Sequence, residues 1–187
     1  MADGRERILD TAYELFSKHG TRGVGVDRII AQAGTAKMTL YRNFASKDDL
    51  IVAFLDKREE RWTRGWLQAE VERRAEAPAD RLLAIFDVFG EWFAREDFEG
   101  CSFINVMLEI DDRADPARAA SVQHLANIRD FLAGLAADAG ADDPDAFARQ
   151  WHILMKGSIV AAAEGDAHAA ARAQEMGELL LASRGLI

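Results

Sequence analysis

Apolar residues recur at helical spacing along almost the whole chain. Ile8, Ala12, Leu15 and Phe16, with His19, predict a helix over residues 4–19, and Gly20 stands just beyond its end. "TRGVG" reads as a loop. Val26, Ile29, Ile30 and Ala33 follow the i, i+3, i+4, i+7 pattern of a short second helix, which Gly34 breaks. A third helix is expected over residues 35–44. Ser46, with Asp49 three residues later, is an acidic variant of the capping box and predicts a long fourth helix from Lys47 to near Glu70. "EAPAD" is a break, with Asp80 expected to cap a helix carrying Leu82, Leu83, Phe86, Phe89, Trp92 and Phe93. Further helices are expected over 101–110, 116–138, 144–164 and 167–183. The pattern gives about nine helices, no sheet and no internal repeat, so the fold class is all-α.

Composition agrees. The 187 residues are rich in Ala, Leu, Arg, Glu and Asp and contain only three Pro. The N-terminus is charged from the start and lacks the apolar run of a signal peptide. "SIVAAA" is far too short to span a bilayer. A single cysteine, Cys101, makes no internal disulfide and fits a reducing cytoplasm. No spacing of Cys and His suggests zinc, and no cofactor motif is present.

The net charge of −9 is unevenly spread. Residues 1–47 hold eight Lys and Arg against Asp3, Glu6, Asp10, Glu14 and Asp27. That makes a head of +3 on a body of −12. The stretch "AGTAKMTLYRNFASKDDL" sharpens this asymmetry. On a helical wheel Ala36, Leu40 and Phe44 share one face, while Thr35, Met38, Thr39 and Arg42 lie opposite. Lys37 and Tyr41 flank one side and Asn43 the other. The apolar face finds partners in the second helix and in Ile8, Leu15 and Phe16. Two short helices joined through Gly34 and braced by a third make a helix-turn-helix. Such a helix enters the major groove of double-stranded DNA, its first N–H groups favour phosphate, and Lys and Arg displace counterions.

At this point the residues carry a family resemblance. "GTRGVGVDRIIAQAGTAKMTLYRNFASKDDLIVAFLD" resembles the N-terminal domain of TetR/AcrR-type transcriptional regulators, through Gly20, Val26, Ile29, Ala33, Gly34, Thr39, Leu40, Tyr41, Phe44, Lys47 and Leu50. The resemblance implies residues 1–50 as a helix-turn-helix DNA-binding domain and residues 51–187 as a helical effector-binding and dimerisation domain. It implies that Lys37, Met38 and Thr39 meet bases and nearby phosphates, that Tyr41 and Lys47 bond phosphates, and that Arg42 and Asn43 touch backbone or base edges. Thr35 joins this DNA-binding set. Gly25 replaces the Thr or Ser common at the second helix's cap. Thr35 is expected to cap the third helix while Ala36 packs.

"LMKGSIVAAAEGDAHAAARAQEMGELLL" is similar to the helix pair through which the family forms homodimers, and its small residues suit close approach. A two-fold dimer implies a near-palindromic operator. The resemblance also implies a cavity for a small hydrophobic or aromatic effector. Its candidate lining is Trp66, Phe86, Phe89, Phe93, Phe103, Met107, Trp151 and Met155, with Asn105, His124 and His152 as orienting polar groups; each is equally readable as core or ordinary surface. Cys101, after Gly100 at a helix start, reads as buried cysteine before redox sensor. Glu109, Asp111 and Asp112 read as a solvated helix stop. The function implied is a cytoplasmic, ligand-responsive repressor that is not an enzyme and uses no metal or membrane. The alternative is an all-helical small-molecule carrier or enzyme built on the aromatic residues, or a DNA-binding protein without effector.

Overall fold

The computed structural model describes residues 4–187; Asp3, counted above in the basic head, lies outside the described residues. The described chain is helical throughout, with no strand. In order come α1 (Gly4–His19), α2 (Val26–Ala33), α3 (Lys37–Asn43), α4 (Lys47–Arg58), a π-helical stretch (Glu59–Gln68), α5 (Ala69–Arg74), α6 (Pro78–Phe93), α7 (Ser102–Glu109), α8 (Pro116–Asp138), α9 (Pro144–Ala163) and α10 (Ala169–Ser183). Residues 47–74 run without a break, so these segments form nine rods. No described helix is long and apolar enough to cross a membrane, and no described cluster of His, Cys, Asp and Glu is arranged for a metal ion. Packing divides the chain into two units. One ends at Arg61 and resumes over Cys101–Leu125; the other comprises Trp62–Gly100 and Ala126–Ile187.

In the first unit, α1 buries the stripe Ile8, Leu9, Ala12, Leu15 and Phe16. It closes at Gly20, whose N–H donates to Phe16 O at 3.0 Å. The α2 helix ends at Gly34 in the left-handed region, and Thr35 N–H bonds back to Ile30 O. This Schellman-type stop satisfies carbonyls that α2 leaves orphaned. It also holds the chain off the helix for two more residues. The third helix therefore starts at Lys37, not at residue 35. Ala36 is its extended N-cap and is exposed, with no side-chain cap; Thr35 Oγ1 is buried without a hydrogen-bond partner. The expected roles of Thr35 as cap and Ala36 as packing residue are thus both corrected. Leu40 and Phe44 do enter the core. Phe54 of α4 meets Tyr13 and Phe16 edge-on at 5.6 and 5.5 Å. The capping box of α4 forms as expected, Ser46 Oγ accepting from Asp49 N–H and Asp49 Oδ2 from Ser46 N–H. Buried Lys57 pairs with Glu6 and with Asp10, which ties α4 to α1.

The fourth helix does not stop near Glu70. It widens at Glu59 and continues to Arg74. Bulky Trp62 and Trp66 flank Gly65 in this stretch; their rings sit 5.6 Å apart.

In the second unit, α6 starts on Ala77 as N-cap with Pro78 in the first helical position. Proline's fixed φ and missing N–H suit that place. Asp80 therefore lies inside the first turn and is not the expected cap. The α6, α9 and α10 helices pack on Phe86, Phe89, Trp151, Met155 and Leu181.

His152 is buried in this unit, and its Nδ1 has no hydrogen-bond partner. Burial, aided by the nearby charges of Lys156 and Arg129, pushes the imidazole from 6.5 down to about 3. The folded chain thus refuses a proton that the unfolded chain accepts. Stability from the neutral ring is full above pH 6.5 and is lost as pH falls toward 3. Between about pH 7.5 and pH 5 this residue is expected to cost about 2 kcal/mol. His152→Gln should remove that slope in urea titrations; parallel pH profiles for the two chains would contradict the assignment.

Candidate nucleic-acid interface

The α3 helix has one face fixed by Leu40 and leaves the other open. Met38 is 83 % exposed and Tyr41 45 % exposed. Lys37, Met38, Tyr41 and Arg42 share this exposed surface. Lys37 Nζ is held at 3.3 Å by Asp27 of α2, an exposed pair of small net value that a phosphate can displace. Arg42 has no ion pair among the described residues. Thr39 is half-buried, its methyl close to Gly4. Asn43 Nδ2 donates to Thr39 O at 2.7 Å, so one side of its amide is committed to the helix backbone. Lys47 lies half-buried with Nζ donating to Thr21 O at 2.6 Å. Burial holds its pKa below the ordinary 10.5, while Asp48 and Glu109 pull it back up.

Three further cations of the first unit were not singled out by motif reading. Arg5 lies over the Phe44 ring at 5.1 Å, Arg28 meets His19 Nε2 at 3.0 Å, and Arg22 is exposed in the turn after α1. Their signal was already in the charge asymmetry of the first 47 residues.

The comparisons with known proteins decide the family. A domain described as "Bacterial regulatory proteins, tetR family" matches residues 8–54, and a "Tetracyclin repressor-like, C-terminal domain" matches residues 78–176. The chain belongs to the TetR family. A TetR-family transcriptional regulator from Streptomyces coelicolor superposes with a TM-score of 0.88 at 30 % identity, over 98 % of this chain and 90 % of that one. A TetR-type regulator from Streptomyces avermitilis gives the same TM-score and identity, over 98 % and 99 %. Among curated relatives, the transcriptional activator FasR of Mycolicibacterium smegmatis is 32 % identical over 119 residues, 64 % of this chain and 52 % of that protein. The chain spans about half the length of this relative and of an HTH-type transcriptional regulator of Lactococcus lactis, at 52 % and 54 %. TetR-family proteins are transcription regulators, not enzymes.

The candidate effector residues fall in both units. In the second, Phe86 lies 5.4 Å from Trp151 and 6.4 Å from Phe89, and Phe89 lies 5.4 Å from Phe93. Trp66 and Phe93 are half-buried, Met155 fully so. Phe103 and Met107 belong to the first unit, where the Phe103 ring tilts against His124 at 5.1 Å. His124 Nε2 also sits 3.0 Å from Asp56 Oδ1. Asn105 is exposed and Cys101 half-exposed. Asp111 and Asp112 are exposed as expected, but Glu109 is not a solvated stop: its carboxylate binds the turn after α1. The reach spans 88 residues of sequence, so adjacent charges could not reveal it.

On α9 and α10, Ile153, Val160, Met176 and Leu179 are 67, 51, 56 and 72 % exposed. A groove on this face is lined by Ile153, Gly157, Ala161, Ala169, Ala173 and Met176.

Proposed function

We propose that this chain is a ligand-responsive transcriptional regulator that binds a near-palindromic operator in double-stranded DNA as a homodimer. Residues 1–50 form its DNA-binding domain and residues 51–187 its effector-binding and dimerisation domain. The carrying observation is the open face of α3, where an 83 % exposed Met38 stands beside Lys37, Tyr41 and Arg42 while the opposite face is locked into a core. Met38 and Thr39 read base edges; Lys37, Arg42 and Lys47 neutralise phosphates; Tyr41 and Asn43 add polar contacts, while Thr35, its hydroxyl buried, supports the turn that presents them.

The dimer forms through α9 and α10. Its two recognition helices enter successive major grooves roughly 34–36 Å apart. A small hydrophobic or aromatic effector, held in the second unit among Trp66, Phe86, Phe89, Phe93, Trp151 and Met155, favours another spacing and releases the operator. Effector and operator then oppose each other reciprocally. The helical run over residues 47–74, which begins at Lys47, is the lever. The protein acts in the cytoplasm as a repressor. The relative FasR is named an activator, so transcription from the recovered operator, with and without the protein, gives the sign.

The test is selection of binding sites from randomised duplexes at two salt concentrations. An enriched inverted repeat with affinity falling steeply as salt rises is expected. Lys37→Ala should weaken all duplexes alike and reduce the salt slope by about 1, whereas Met38→Ala should relax preference at one or two base positions. A pool that stays random, with weak binding to every duplex, would refute the regulator reading.

A further inference from the structure

Glu109 is the last residue of α7, yet its carboxylate belongs to the turn that closes α1. Its Oε2 accepts from Thr21 N–H at 3.2 Å, from Thr21 Oγ1 at 2.5 Å and from Arg22 N–H at 3.4 Å. Gly20 makes the approach possible. Its φ is +70°, and a Cβ there would meet Glu109 Oε1 at 2.6 Å. Thr21 is only 2 % exposed, so its polar groups need partners inside the protein. Two go to Glu109. The third, its carbonyl, accepts from Lys47 Nζ at 2.6 Å. One residue of the turn is thus gripped from α7 on one side and from the first residue of α4 on the other. All of these groups lie in the first unit.

We propose that Glu109 is a positioning residue for operator binding: through Thr21 it holds Lys47 where the ammonium meets a DNA phosphate. The inference rests on the DNA-binding reading above. Lys47 has three N–H donors, and Thr21 uses one, which leaves two for phosphate oxygens. An ammonium already fixed in place gives up less side-chain freedom on binding than one on a mobile stem. The fixing depends on the turn, and the turn depends on Glu109. Three donors converge on one ionised oxygen, and bonds to a charged acceptor are roughly twice as strong as neutral ones. The grip comes from α7, outside the helix-turn-helix. Any displacement of α7 must therefore drag the turn or break these bonds, and Lys47 loses its anchor in either case.

A double-mutant cycle on the full chain tests this, with the duplex recovered by the selection above. Glu109→Ala should weaken operator binding about tenfold in the unaltered chain but less than about threefold in a Lys47→Met background. Glu109→Gln, which keeps an acceptor oxygen but not its charge, should recover part of the loss. Without DNA, hydrogen exchange at the Thr21 and Arg22 amides should speed up in Glu109→Ala by at least about tenfold. Equal losses in both backgrounds would make Glu109 a brace that acts independently of Lys47 and would overturn the proposal. So would unchanged or tighter operator binding, or unchanged exchange. If the unaltered chain binds no duplex, this inference and the DNA-binding reading fall together; if it binds and the cycle shows no coupling, this inference falls alone.

Discussion

A chain carrying Ile153→Glu and Met176→Glu is expected to run as a monomer in analytical ultracentrifugation and to bind its operator at least about 100-fold more weakly. Both side chains line one groove on α9 and α10 and are more than half exposed. With Val160 and Leu179 they form an apolar surface that a soluble protein seldom leaves uncovered. A two-fold contact uses the same patch twice, so two substitutions place four carboxylates in one interface. Their desolvation is costly, and Arg172 already pairs with Asp166 at the groove's edge. Gly157, Ala161, Ala169 and Ala173 line the floor of this groove, and their small side chains suit the proposed approach of a second pair of helices. Separating the protomers leaves each recognition helix its own half-site but removes the linkage between them. That linkage is what makes the second half-site encounter intramolecular. Far-UV circular dichroism should not change, because neither side chain is in the core. A double variant that still sediments as a dimer would show that the interface lies elsewhere.

How much of this was legible in the sequence depends on how local each cause is. The second helix was read at residues 26–33 and lies there, because its i, i+3, i+4, i+7 stripe and Gly34 act within eight residues. The Ser46–Asp49 box is equally local and formed as read. The start of α3 was misplaced by two residues because the Schellman closure of α2 consumes Thr35, and wheel geometry cannot see a hydrogen bond to the preceding helix. Asp80 was misread for a related reason: a proline in the first helical position outranked an acidic side chain two residues later. The widening after Glu59 lies in a stretch whose apolar pattern still reads as ordinary helix. Glu109 was invisible because its partner lies 88 residues away. Within the interface, the exposure of Met38 and Arg42 followed from the wheel, but the tether of Lys37 to Asp27 and of Lys47 to Thr21 needed coordinates. The aromatic residues pose a different problem. Periodicity marks Phe86, Phe89 and Trp151 as inward-facing, but it is blind to whether an inward ring meets other rings or a ligand.

Stability measurements separate those two cases at Trp151. Trp151→Ala is expected to lower unfolding free energy by about 3–5 kcal/mol in urea titrations. The indole has no exposed surface, stacks on Phe147 at 5.5 Å and 20°, and tilts against Phe86 at 5.4 Å. Its buried Nε1–H has no hydrogen-bond partner, which keeps the loss below what ring burial alone would give. A loss below about 1 kcal/mol would mean that the ring supports little of the core and is free for an effector. Gly177 supplies the internal control. A Cβ there would lie 2.7 Å from Trp151 Cη2 and 3.3 Å from Phe86 Cε2. A rigid indole cannot yield as a flexible chain end would. Gly177→Ala should therefore cost about 1–3 kcal/mol through overpacking, although alanine favours a helix interior by about 1 kcal/mol over glycine. The two effects must not add. With Trp151 truncated, the new methyl group enters the space the indole leaves, and the clash that made Gly177→Ala costly is gone. The double variant should lose at least about 1 kcal/mol less than the sum of the single losses. Simple additivity would mean that the two residues do not touch.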